Sequence, residues 1–148
     1  MNRLTTTLAG CALLAGFAAT ALPARAAFSY LSPSQTQAKQ CRDLQAAGKP
    51  AESLPICVAA AATFKQLGDA QKRNPWYAYE VEGQMLEAAA LDYAALKRHR
   101  EAYQTALRAH QLLLYIYKSY KMDDSDYSDI AAMTARLARF ETAQRALL

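Results

Sequence analysis

The chain has 148 residues, 53% of them hydrophobic and 20% charged, with a formal net charge of +4. That length suits one domain around a single modest core. The small positive surplus gives no support for a nucleic-acid partner, which would want a concentrated basic face.

Residues 1–26, MNRLTTTLAGCALLAGFAATALPARA, are organised as a secretory signal. Arg3 supplies a positive start, an apolar run extends from Leu8 to Leu22, and Pro23 breaks it before the small-x-small site Ala24-Arg25-Ala26. The run is too short, and too soon followed by a cleavage site, for a membrane span. Export by the general secretory route is therefore expected, with cleavage near Ala26. The mature chain would be periplasmic or secreted and without a transmembrane span. The alternative reads Leu8-Ala9-Gly10-Cys11 as a lipobox anchoring the protein through Cys11, although little of the apolar run precedes that cysteine. Loss of Arg3 and Arg25 would lower the charge surplus to about +2.

Residues 27–33 are expected to form an extended arm, and 34–148 a single helical domain. Past residue 26 only Gly48, Gly68 and Gly83 are glycines, β-branched residues are sparse, and good helix formers dominate. A first helix is predicted from Ser34 to Ala47, capped by Gly48. Cys41 and Cys57 stand at equal distances from Lys49, in the centre of Gly48-Lys49-Pro50. Residues equidistant from the turn of a helical hairpin lie level, so the spacing and the expected oxidising compartment predict a disulfide. Two buried free thiols are the alternative. No histidine lies nearby to make the pair a metal site.

Pro55 places the second helix from Leu54 to Gln71 with Ser53 as its N-cap, since a start at Pro50 would leave Pro55 in the interior. That longer turn would shift the two cysteines out of level by up to one helical turn. Asn74-Pro75 reads as an N-cap and first helical residue. The third helix then runs from Pro75 to Lys97, with Trp76, Tyr79, Gly83, Leu86, Ala90, Tyr93 and Leu96 on one stripe. The fourth, Arg100 to Lys121, repeats the pattern with Ala102, Ala106, Ala109, Leu113, Ile116 and Tyr120. KMDDSDYSD interrupts it, and a last helix from Ser128 to Leu147 carries Ile130, Met133, Leu137 and Phe140. The expected fold is all-α, with about five helices in stacked, repeat-like antiparallel hairpins.

Gly48, Ala60 and Phe64 occupy the glycine, small and aromatic positions of a helix–turn–helix unit. A second copy falls on Tyr93, Leu96, Lys97, Arg100, Ala109 and Leu113, with Lys97 in place of glycine and an offset of 49 residues rather than 34. These residues resemble a degenerate tetratricopeptide repeat. The resemblance implies stacked helical hairpins and a protein- or peptide-binding role. An ordinary helical bundle is the alternative.

The chain carries no C-x-x-C-H for haem and no glycine-rich phosphate loop. His99 and His110 would stand about 16.5 Å apart on one helix, too far to share a metal. A calcium loop begun at Asp124 has Asp129 where glycine is needed and Ala135 where glutamate is needed, so these acids are read as favouring the next helix's N-terminus. Glu80, Glu82 and Glu87 are read as solvated helix charges. No cofactor is expected and no enzyme activity.

For binding, Lys97, Arg98 and Arg100 in the run KRHR would suit an acidic peptide or anionic lipid, or else form a cationic helix end. Tyr115, Tyr117 and Tyr120 cannot all face one core, so some are left for solvent or a partner. The leading expectation is an exported, non-catalytic module that binds a peptide or envelope protein between helix pairs. The alternative is a small-molecule or cofactor carrier, its pocket lined by Trp76, Tyr93 and Leu112–Ile116.

Overall fold

The computed structural model describes residues 32–120 and 124–147, and the expected signal, the Cys11 lipobox and most of the arm lie outside them. Five helices fill the described chain: α1 Pro33–Ala46, α2 Pro50–Ala70, α3 Trp76–Ala95, α4 His99–Tyr120 and α5 Asp124–Arg145. None is long and apolar enough to cross a membrane. Each packs on its sequence neighbours, and α1 also touches α3. The all-α hairpin stack is what the sequence predicts.

Local chemistry sets each boundary. α1 begins one residue before expectation, because Ser32 and Gln35 form a capping box ahead of Pro33. Its C-terminus closes on Gly48 at φ 68, with Gly48 N–H donating to Gln45 O at 2.9 Å and Lys49 N–H to Leu44 O at 3.1 Å. This is a Schellman closure, in which glycine takes the left-handed residue without steric cost.

The predicted start of α2 is corrected. The helix begins at Pro50, leaving Pro55 in its interior, and Ser53 caps nothing. The buried Ser53 hydroxyl instead donates to Asp92 of α3. Starting early also buries Leu54 and Cys57, and that packing offsets the proline's missing hydrogen bond. The short turn keeps Cys41 and Cys57 level, and they are bonded, with Cα atoms 5.0 Å apart.

Asn74 is not an N-cap either. It takes φ 51, Pro75 occupies the cap position, and α3 starts at Trp76. The predicted single stripe on α3 is broader in fact: Val81, Glu82, Met85, Ala88 and Ala89 are also buried, whereas Trp76 and Leu96 at its ends are exposed. A helix covered by α1, α2 and α4 is buried on several sides and cannot show one apolar face.

On α4 the expected Ala102, Ala106, Ala109 and Ile116 are buried, while Tyr120 is exposed. α5 begins at Asp124, four residues before the expected Ser128, so the acidic run enters the helix at its positive end. The core is built from small side chains around Phe64, Met85 and Ile116. Close approach of α3 and α4 depends on Gly83, where an added methyl would lie 2.8 Å from Leu113 Cγ.

Candidate functional site

Because α1 and α3 each lead into an antiparallel partner, they run side by side in the same direction. α1 turns Gln35, Ala38, Arg42 and Gln45 toward the seam at three- and four-residue spacing. α3 answers with Tyr77, Gln84, Ala88 and Leu91. Between them runs a furrow of two clefts. One, about 120 Å³, has Phe64 of α2 in its lining, and the other, about 340 Å³, reaches Arg136 of α5. Arg42 and Gln84 line both, so the clefts adjoin.

The furrow's walls are tied together. Gln45 Nε2 donates to Ala88 O at 2.9 Å, joining α1 to α3. Arg136 pairs with Glu87, joining α5 to α3, while its buried Nε finds no acceptor. Gln84 Nε2 donates to Glu80 Oε1 at 3.3 Å. Arg42 is exposed and makes no ion pair or hydrogen bond among the described residues. The furrow therefore offers a free cation beside an unused donor, and an acceptor-bearing chain would satisfy both.

Glu82 corrects the expectation of a solvated charge. It is buried and bonded to Arg108 of α4 at 2.8 Å, and Arg136 and Glu87 likewise form a half-buried pair. Burial pushes the Glu82 carboxyl above the usual range, opposed by Arg108. Asp92 is buried too, bonded to Ser53 and 3.7 Å from Cys57 Sγ. Burial raises its carboxyl against the lowering effect of Ser53 and Gln45. Asp92 thus fastens α3 to the bridged hairpin and lines neither cleft of the furrow.

The residues singled out from sequence do not gather into one site. Lys97, at φ 60, and Arg98 form the α3–α4 turn, and exposed Arg100 follows in the first turn of α4. Arg98 is engaged already, paired with Glu101 at 2.8 Å and lying 4.6 Å over the Tyr93 ring. Tyr115 is 55% exposed and Tyr117 half-buried, some 22 Å along α4 from Arg100. Neither group borders the furrow. His110 bonds to Thr134 of α5 at 2.7 Å. Among the described residues no group of three His, Cys, Asp or Glu is placed to hold a metal.

Sequence reasoning missed Arg42, Gln84 and Arg136. The only signal was the spacing of Gln35, Arg42 and Gln45, a polar stripe that becomes a wall once α3 lies beside it. No protein family matches the chain, and no curated protein or solved structure shows significant similarity to it.

Proposed function

We propose that the protein is an exported, non-catalytic module of tetratricopeptide-like type that binds a peptide or a segment of an envelope protein in the α1–α3–α5 furrow. One observation carries this reading: Arg42 and Gln84 line both clefts, so a single extended segment would traverse them past an unpaired cation. The repeat reading is supported by the two hairpin turns, which close by the same pair of hydrogen bonds 49 residues apart. The buried disulfide suits an oxidising compartment. The carrier alternative draws no support from its expected lining, since Trp76 faces solvent while Leu113 fills the notch at Gly83.

A photo-crosslinking residue at Gln84 tests the furrow directly. In the producing cell it should give a discrete adduct that Arg42→Glu removes and that the same probe at Arg100 fails to give. Absence of an adduct at Gln84, or equal adducts at both positions, would defeat the proposal. Mass measurement of the mature chain tests export, with Ala27 as the expected first residue.

A further inference from the structure

The α2–α3 connection, a tip of the helix stack, carries exposed apolar and cationic side chains in and beside it. Leu67, in the last turn of α2, is 39% exposed, and Trp76 and Tyr77 at the start of α3 are 39% and 47% exposed. The two rings meet edge to face, 6.1 Å apart. Lys72 and Arg73 lie in the connection, both exposed and without an ion pair among the described residues. The nearest acid in the chain, Asp69, is taken by Lys65 at 2.5 Å and by the Tyr79 hydroxyl at 3.1 Å. Gly68 lets Tyr79 lie against α2, which holds the base of the tip firm. Three large hydrophobic side chains thus remain partly exposed beside the connection.

The end of α4 extends this surface. Leu113 lies against Gly83, and α4 runs antiparallel to α3. Exposed Tyr120, seven residues beyond Leu113, therefore stands level with Trp76, seven residues before Gly83. Exposed Lys118 lies in the same last turn.

We propose that this tip docks on the surface of an anionic phospholipid bilayer. Trp76, Tyr77 and Leu67 enter the interfacial zone, and Lys72 and Arg73 meet the headgroups. The pairing of exposed rings with unpaired cations suits a partner that is anionic at its face and apolar beneath it. Tryptophan and tyrosine rings combine an apolar body with a polar edge and favour the membrane–water boundary. Lysine and arginine reach anionic headgroups while their stems cover apolar surface. Two unpaired cations and a few rings give reversible, salt-sensitive attachment rather than insertion. Tyr77 also lines the smaller cleft of the furrow, whereas Leu67, Trp76, Lys72 and Arg73 border neither cleft, and the proposal does not depend on the furrow reading.

Trp76 is the only tryptophan in the chain, so its emission reports on the tip alone. Adhesion through the apolar stretch 8–22 does not imitate an effect that follows Lys72 and Arg73. The full chain is titrated with vesicles of equal parts phosphatidylglycerol and phosphatidylcholine, and with pure phosphatidylcholine vesicles. The first should move Trp76 emission to shorter wavelength with saturation, allow quenching by brominated lipid, and lose effect in high salt. Lys72→Gln with Arg73→Gln should weaken the response about thirtyfold at low salt, with helicity unchanged as the control. No emission change up to millimolar lipid overturns the proposal. So does an equal response to both vesicles, or one that the double substitution leaves intact.

Discussion

The two hairpins α1–α2 and α3–α4 share one turn but are secured differently. Lys49 N–H donates to Leu44 O in the first, and Arg98 N–H to Tyr93 O in the second. Residues related by the 49-residue offset also meet the same fate, as with Ala60 and Ala109, both fully buried. Yet Cys41 and Cys57 form a bridge where the second hairpin has Ala90 and Ala106, and Gly48 stands where it has Lys97. The second hairpin replaces the staple with close packing at Gly83 and the Glu82–Arg108 pair. Register therefore comes from packing and the turn. The disulfide secures a geometry it does not create.

Removing the staple is the strongest way to test that division. Cys41→Ala with Cys57→Ala should lower stability by about 3 kcal/mol in urea unfolding, while circular dichroism shows the helices retained. Loss of the helical signal in native buffer would mean that the bridge defines the hairpin. Labelling of denatured, unreduced protein should leave Cys41 and Cys57 unmodified.

The second hairpin is expected to break at Gly83. A methyl there meets Leu113 at 2.8 Å and must displace it, so Gly83→Ala should cost about 1–3 kcal/mol. Adding Leu113→Ala should recover part of that loss relative to Leu113→Ala alone. A neutral Gly83→Ala would show that α3 and α4 are not held at closest approach.

Asp92 links the two hairpins, and its effect depends on pH. Burial raises its folded pKa above the unfolded value. The advantage of the protonated form is complete below the unfolded pKa and is lost as pH rises through the folded one. Asp92→Asn removes this titration while retaining an acceptor for the Ser53 hydroxyl. The variant's stability relative to wild type should therefore improve as pH rises above the unfolded Asp value and level off once pH passes the folded one. A difference that stays flat throughout would show that the carboxyl carries no proton linkage. Glu82 titrates in the same sense, which is why the difference between the proteins is measured.

Much of the fold was legible because the relevant forces are local or periodic. Gly48 ends α1, the equal cysteine spacing marks the hairpin, and the α4 stripe shows because that helix leaves a wide face to solvent. The start of α2 was not legible. Ser53 is a good cap in isolation, and only Asp92, 39 residues away, redirects its hydroxyl. Glu82 looked solvated because Arg108 lies on another helix. The furrow was the least visible feature: Arg42 and Arg136 come from α1 and α5, and only the side-by-side stacking of alternate helices puts both in one lining.

The smallest expected effect bears most directly on the two turns. Lys97 holds φ 60 with a side chain whose Cβ crowds the backbone in that conformation, whereas Gly48 holds φ 68 without one. A methyl at Gly48 would meet nothing within 4 Å, so Gly48→Ala isolates the conformational cost from packing. It should destabilise by about 1 kcal/mol. Lys97→Gly relieves the same crowding but loosens the unfolded chain, leaving a net gain of about 0.5 kcal/mol. Opposite signs in matched urea titrations would establish the turns as equivalent, with glycine optimal in both. If Lys97→Gly instead destabilises, the Lys97 side chain contributes at its turn something that outweighs its backbone strain, and the equivalence of the two hairpins ends there.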